Sequence, residues 1–159
     1  MRKSLVKRLE ELMEKNKKIF VLTADVGYGV LDGVATKFPD RFLNCGVSEN
    51  VMVGAAVGLA IEGFIPVCYS LTPFLMFRPF EFLHTIVDYD KANVKFIGSG
   101  RGEDYADHNF THLNPGLESV LNALPNTKAF YPHDENDAPI VLEHAINLKG
   151  PAFVNIKRR

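Results

Sequence analysis

The acidic residue Glu49 stands at the start of a helix-forming segment that is otherwise small and apolar. Residues 44–63 read NCGVSENVMVGAAVGLAIEG, and no charged residue follows Glu49 until Glu62. Ser48 precedes the acid and predicts a serine cap at the N-terminus of the helix. A carboxyl group in this position either complements the helix dipole or exchanges protons inside an apolar pocket, where burial favours the protonated acid.

A run of phenylalanines is the second feature whose chemistry matters. Phe74, Phe77 and Phe80 recur at every third position near the start of a predicted helix. This spacing places the rings close to one helix face, which suits a hydrophobic core as well as a wall that stacks on a flat heterocycle. Arg78 and Glu81, spaced i and i+3, predict an ion pair at a pocket rim, at an interface or in solvent.

The polar segment DHNFTH contains a third group of reactive side chains. Asp107, His108 and His112 can bind hydroxyl groups or shuttle protons, and loop histidines without a role are the alternative. Two histidines are a weak basis for a metal site, so we predict no metal site in this chain. Asp25 follows an apolar run and precedes Gly27, and it either lines the same site or caps a turn.

Alternating strands and helices must position these groups. Apolar runs predict strands at residues 18–25, 41–46, 64–70, 93–100, 127–132 and 151–158. Helical patterns lie before and between them, at residues 4–16, 72–89, 117–124 and 135–150, in the segment that Glu49 opens, and briefly within residues 27–40.

This alternation predicts an α/β fold of three layers, formed by a single domain over residues 1–159. A mostly parallel sheet of about six strands has helices on both faces. The carboxyl ends of parallel strands share one edge, where ligands bind. Because Asp25, Glu49, residues 69–72 and the loop 101–112 all follow strands, we expect them to converge at that edge.

Composition excludes several classes of function. The net charge of −1 gives no electrostatic basis for binding nucleic acid, and no apolar run reaches the roughly 18 to 20 residues that cross a membrane. Cys45 and Cys68 form neither a metal motif nor a disulfide framework, which predicts a cytoplasmic protein with reduced thiols. The glycine segment GYGVLDG matches neither the dinucleotide-binding nor the P-loop pattern.

The segment FPDRFLNCGVSENVMVGAAVGLAIEGFIPVCYS resembles the pyrimidine-binding domain of transketolase-like thiamine diphosphate enzymes. That group includes transketolases, deoxyxylulose-phosphate synthases and the beta subunits of 2-oxo-acid dehydrogenases. The resemblance continues through FLMFRPFEFL, NVKFIGSG, THLNPGLESVLNALPN and PAFVNIKR, so it covers nearly the whole chain. It implies the thiamine diphosphate-binding fold.

The resemblance also implies roles for the residues above. Glu49 matches the acid that hydrogen-bonds N1′ of the cofactor's aminopyrimidine and thereby activates the thiazolium carbon. Phe74 and Phe77 match rings that stack on the aminopyrimidine, and Phe80 matches a cofactor-site position often filled by tyrosine. Asp25 matches an acidic position that lines the cofactor site.

A Thr-His pair at the end of DHNFTH resembles the pair that reaches the substrate's hydroxyl groups in transketolases. His112 is therefore expected to be catalytic and substrate-binding. Those enzymes often carry an aspartate four residues before this histidine, but here that position is His108 and the acid is Asp107, which leaves sugar selection open. Gly54 and Gly58 match a helix that packs near the dimer seam and are expected at an interface.

The family holds the cofactor's diphosphate through a divalent metal on a separate domain with a GDG…N motif, and no GDG occurs in this sequence. The resemblance thus implies a split enzyme, whose partner subunit carries that motif and holds most of the contacts to thiamine diphosphate and Mg²⁺. We expect a hetero-oligomer with two copies of each chain that transfers a two-carbon ketol unit between sugars. A beta-type subunit of a 2-oxo-acid decarboxylase or dehydrogenase, and a noncatalytic binding or regulatory module, are the alternatives.

Overall fold

A parallel β-sheet forms the middle layer of the fold in a computed structural model that describes residues 1–158. Its strands are β1 (Ile19–Thr23), β2 (Phe42–Asn44), β3 (Ile65–Leu71), β4 (Lys95–Ser99), β5 (Lys128–Phe130) and β6 (Ala152–Ile156). They lie in the order β2-β1-β3-β4-β6-β5, and every pairing among the described residues is parallel. The predicted sheet of about six strands is confirmed.

Helices cover both faces of this sheet. One face packs against α1 (Arg2–Lys15), α2 (Asp32–Lys37) and α7 (Asp137–Asn147). The other packs against α3 (Glu49–Ile61), α4 (Thr72–Phe77), α5 (Phe80–Phe82) and α6 (Leu117–Asn122). Neighbouring strand residues alternate between the layers, so that Ile97 joins the first core and Phe96 the second. The predicted three-layer arrangement is therefore confirmed.

The helix predicted over residues 72–89 is interrupted, and that prediction of one continuous helix is wrong. α4 ends at Phe77, α5 begins at Phe80, and the chain continues as a π-helical segment, Leu83–Asp88. Pro79 causes the break, because it has no N–H to donate to the carbonyl four residues earlier and its ring crowds that carbonyl. Phe80 consequently belongs to a different helix from Phe74.

Separate hydrogen bonds anchor the two sides of this break. On one side, the Gly100 carbonyl accepts hydrogen bonds from Thr72 Oγ1 at 2.7 Å, from Asn155 Nδ2 at 3.1 Å and from Asn114 Nδ2 at 3.1 Å. This oxygen joins the start of α4 to β6 and to the loop that precedes α6. On the other side, the buried Asp88 accepts hydrogen bonds from residues 126 and 127 in the turn before β5.

In the described part of the chain, no helix has both the length and the apolar character that a membrane crossing requires.

Close packing at Gly98 yields a test of how α4 is held. A Cβ at Gly98 would lie 2.7 Å from Phe153 Cε2 and 2.7 Å from Thr72 Oγ1, both closer than van der Waals contact allows. We expect Gly98→Ala to lower the free energy of unfolding by about 1–3 kcal/mol, since overpacking displaces side chains or backbone. Urea unfolding followed by circular dichroism measures the change.

Gly58→Ala is the matched control, because the residue is within α3 and a Cβ added at this position would have no neighbour within 4 Å. Alanine in a helix stabilises by roughly 0.5–1 kcal/mol relative to glycine. An unfolding midpoint of Gly98→Ala equal to that of the wild type would contradict the packing described here.

Candidate functional site

A cavity of about 560 Å³ opens where α4 meets the loop that follows β4. Its walls include Pro73, Phe74, Phe77, Arg78, Phe110 and Leu113. α4 starts directly after β3, and the loop starts directly after β4, so the cavity lies at the carboxyl edge of the sheet. The predicted position of a ligand site at this edge therefore coincides with an apolar cavity.

Glu49 is buried at the start of α3, with only 3% of its surface exposed. The buried side chains of Met52, Val53 and Ala56 follow it on the same helix. Ser48 occupies the N-cap position of α3, as predicted, but its hydroxyl makes no capping hydrogen bond. The carboxylate is thus held beside an apolar helix, as the sequence predicts, and its charge must be compensated from another element.

Arg78 supplies that compensation. Its Nη1 donates to both carboxylate oxygens of Glu49, at 2.8 Å to Oε1 and 3.0 Å to Oε2. The predicted pair between Arg78 and Glu81 is therefore wrong, although Arg78 does line the cavity. A buried carboxylate without a partner is strongly destabilising, whereas the exposed Glu81 is solvated by water. The buried acid therefore benefits more from the guanidinium.

Phe74 lies at the centre of the cation and aromatic contacts. The Arg78 guanidinium carbon is 3.7 Å from the centroid of the Phe74 ring, which is a cation–π contact. His112 packs edge-on against the same ring, with centroids 5.0 Å apart and planes at 69°. Phe77 is on the cavity wall, while Phe80 stacks with His84 at 5.9 Å and is not among the wall residues.

The structure brings together the three polar residues of the loop. His108 Nδ1 lies 2.8 Å from Asp107 Oδ1, and the rings of His108 and His112 have centroids 5.1 Å apart. The contact with His108, followed by that with Arg158, holds the pKa of the exposed Asp107 carboxyl below its ordinary value. Through its contact with Phe74, His112 connects this cluster to the cavity.

Two residues of this cluster, Arg158 and Tyr105, were not predicted from the sequence. Arg158 Nη1 donates to Asp107 Oδ1 at 3.1 Å, and its guanidinium carbon lies 4.6 Å from the centroid of the buried Tyr105 ring. Its position in the sequence could have identified it, because Arg158 comes two residues after the end of β6, which neighbours β4 in the sheet. A cation at the carboxyl end of a neighbouring strand reaches the loop after β4.

Asp25 lies at the same edge but in a local network of its own. It has a left-handed backbone with φ of 55°, and its carboxylate accepts hydrogen bonds from Tyr28 at 2.6 Å and from Asn44 at 3.2 Å. These bonds, with Tyr28 first, lower the pKa of Asp25. Asp25 is not on the wall of the cavity that contains Phe74.

The guanidinium of Arg78 lies between Glu49 and Phe74. The space between them therefore accepts a planar group with hydrogen-bonding nitrogens. The carboxylate meets its edge and the aromatic ring meets its face. An aminopyrimidine ring has the same combination of a flat face and hydrogen-bonding nitrogens along its edge. In the part of the chain that the structure describes, no group of three His, Cys, Asp or Glu side chains is arranged to hold a metal ion.

Known proteins share both the sequence pattern and the fold. One of the subunits of the apulose-4-phosphate transketolase from Actinobacillus succinogenes is 33% identical over 120 residues, which cover 76% of this chain and 39% of that relative. The 1-deoxy-D-xylulose-5-phosphate synthase 1 of Geobacter sulfurreducens is 34% identical over 151 residues, which cover 94% of this chain and 23% of the synthase.

A solved structure described as a split-gene transketolase, in an inactive beta4 tetramer, has a TM-score of 0.86 with this chain at 30% identity. The match covers 99% of this chain and 50% of that chain, so the present chain spans half or less of each of these proteins. The model of the transketolase pyrimidine-binding domain family matches residues 1–159. The resemblance found in the sequence is thus confirmed, and the chain belongs to the family of transketolase pyrimidine-binding domains.

Proposed function

We propose that this chain is the pyrimidine-binding subunit of a thiamine diphosphate-dependent transketolase and that Glu49 exchanges a proton with the cofactor's aminopyrimidine. The observation that carries the proposal is the buried Glu49 carboxylate, which lies with Phe74 against one planar, nitrogen-bearing group. When bound, thiamine diphosphate supplies the nucleophilic carbon that takes up a two-carbon unit. Glu49 holds and moves the proton, and the apolar surroundings keep competing water away from the carboxyl group.

The other proposed site residues form two groups, one that contacts the cofactor and one that binds the substrate. Phe74 and Phe77 present aromatic faces for the aminopyrimidine, while Phe80 and Asp25, which do not line the cavity, act on the surrounding structure or on more distant parts of the cofactor. His112, with His108 and Asp107, binds the hydroxyl groups of a keto sugar. The contact between His112 and Phe74 supports this division, because it places the substrate group next to the cofactor wall.

A partner subunit completes the proposed enzyme by holding the diphosphate and Mg²⁺. The surface of α3 supports such an association, because Val51 and Ile61 are 58% and 78% exposed on a helix that is apolar all round. Gly58 faces open space, whereas Gly54 faces Phe82 within the chain. We propose that Gly58, rather than Gly54, contacts the partner, in an assembly with two copies of each chain.

Replacing Glu49 with Gln tests the central role. The substitution keeps the size of the side chain and a hydrogen-bonding oxygen, but it removes the exchangeable acid. We expect cofactor activation and turnover to fall by about 100- to 10,000-fold, the usual contribution of general acid–base catalysis. The measurement is hydrogen–deuterium exchange at the thiazolium carbon, together with turnover, in the complex reconstituted with the GDG-containing subunit and Mg²⁺.

Glu62→Gln is the matched control, since Glu62 is an exposed acid at the other end of the same helix. It should leave both exchange and turnover at the wild-type level. Wild-type exchange and turnover in an assembled Glu49→Gln complex would show that Glu49 is only a structural acid.

Dependence on the partner is tested by calorimetry with thiamine diphosphate and Mg²⁺. The isolated chain should bind the cofactor weakly or not at all, because the residues that would hold the diphosphate are expected on the partner. The mixture of both subunits should bind tightly and only with the metal present. Tight, metal-dependent binding by the isolated chain would refute the proposed division of labour.

Replacing His112 with Asn separates substrate binding from cofactor activation. Loss of the hydrogen bond to a substrate hydroxyl, which costs about 1–3 kcal/mol when the partner is left unsatisfied, should lower kcat/KM by roughly 10- to 100-fold. Exchange at the thiazolium carbon should remain at the wild-type rate, because His112 contacts Phe74 and not the Glu49 carboxylate. If exchange falls as steeply as kcat/KM, His112 acts on the cofactor instead.

A further inference from the structure

Arg78 contacts the two groups that a pyrimidine ring would need, the Glu49 carboxylate and the Phe74 ring. Its Nη1 is bonded to both oxygens of Glu49, and its guanidinium covers Phe74 at 3.7 Å from the ring centroid. His112 packs against the same ring. A ligand cannot reach the Glu49 carboxylate and the covered face of Phe74 while the guanidinium stays in place.

The guanidinium takes the place of an aminopyrimidine in shape: it donates to the Glu49 carboxylate as a cation, whereas the ring nitrogen of a neutral aminopyrimidine accepts a hydrogen bond from the protonated acid. Both are flat, both stack on an aromatic ring, and both place nitrogen atoms at the edge where a carboxyl group can hydrogen-bond. The two therefore compete for one location. Compensation of the buried charge explains why the free chain benefits from this arrangement.

The position of Arg78 allows it to leave. Its side chain is 43% exposed, whereas that of Glu49 is 3% exposed. It is attached at the break between α4 and α5, and the exposed Glu81 lies three residues later, close enough in sequence to take the cation on the solvent side. Rotation of this one side chain removes the guanidinium from both Glu49 and Phe74.

We propose that Arg78 is a competitive lock on the pyrimidine site: it closes the site in the free chain and moves off Glu49 and Phe74 when the aminopyrimidine enters. This inference rests on the proposed function, because it takes Glu49 and Phe74 as the pyrimidine-binding groups. The lock makes cofactor affinity lower than the bare site permits. It also keeps the buried acid paired until a ligand replaces the cation.

The test uses the free aminopyrimidine fragment, 4-amino-5-hydroxymethyl-2-methylpyrimidine, titrated into the isotope-labelled chain and followed by NMR. If the open state of the wild type is populated to about one tenth, removing the lock tightens apparent binding about tenfold. Arg78→Ala should show this gain, and Arg78→Lys, which keeps the charge but lacks the planar fork, should fall between Arg78→Ala and the wild type. Arg8→Ala is the matched control, since Arg8 pairs with Glu11 and Glu143 on the opposite face of the sheet and should bind as the wild type does.

A second measurement needs no substitution and therefore does not depend on the stability of the variants. The side-chain nitrogen signals of Arg78 in the wild type should change from those of a paired, slowly rotating guanidinium to those of a free one as the fragment is added. The change should follow the shifts of the Phe74 ring. Persistence of the paired Arg78 signal while Phe74 responds would overturn the lock.

Equal binding by the wild type and Arg78→Ala, or no binding by a folded Arg78→Ala, would also overturn it. Neither result bears on the proton-exchange role of Glu49, which the Glu49→Gln complex tests separately. Conversely, normal turnover in Glu49→Gln with tighter fragment binding in Arg78→Ala would retain the lock and reject the catalytic role.

Discussion

The carbonyl oxygen of Gly100 is the point on which the placement of the candidate site depends. It lies just beyond β4, and side chains from the start of α4, from β6 and from the loop before α6 all donate to it. Gly98 and Gly100 leave room for this convergence, because a Cβ at Gly100 would lie 2.5 Å from the Tyr105 ring and one at Gly98 would meet Thr72. The cavity wall and the histidine loop are thus both fixed to one polar centre, in addition to the contact between Phe74 and His112. The start of α4 and the loop after β4, which form the cavity, are therefore held in place relative to the sheet.

A buried carboxylate poses the second constraint. Glu49 lies at the start of an apolar helix. Among the described residues, Arg78 is the only one that forms an ion pair with it. A fully buried cation would make the pair permanent, but Arg78 remains partly in water. Arg78 therefore compensates the charge of Glu49 in the folded chain while its own side chain stays in contact with solvent. In an ion pair enclosed on both sides neither partner reaches water, whereas here only Glu49 is buried.

The sequence predicted those features that depend on local pattern. Buried apolar runs marked all six strands. Position after a strand singled out Glu49 and the loop that contains Asp107, His108 and His112, and the family resemblance singled out Phe74 and Phe77; the roles of these residues stay predictions. Features that depend on distant neighbours were not predictable in the same way. Arg78 had a plausible partner three residues away, but it pairs with an acid 29 residues away because that acid is buried. The regular spacing of Phe80 suggested one helical wall, and Pro79 removed Phe80 from it. Nothing in the local sequence shows that Asn155 and Thr72 meet at one carbonyl.

The break at Pro79 separates two helical pieces that have independent anchors. Thr72 ties the first piece to the sheet edge, and Asp88 ties the second to the turn before β5. Between the anchors, Leu75, Met76, Leu83 and Val87 are buried in the core, and at the joint itself Arg78 is exposed while Pro79 is buried. Position 78 can therefore vary without the loss of a core side chain or of either anchor. A single substitution at position 78 changes the surroundings of the Glu49 carboxylate and, because Arg78 compensates this buried charge, the stability of the chain as well.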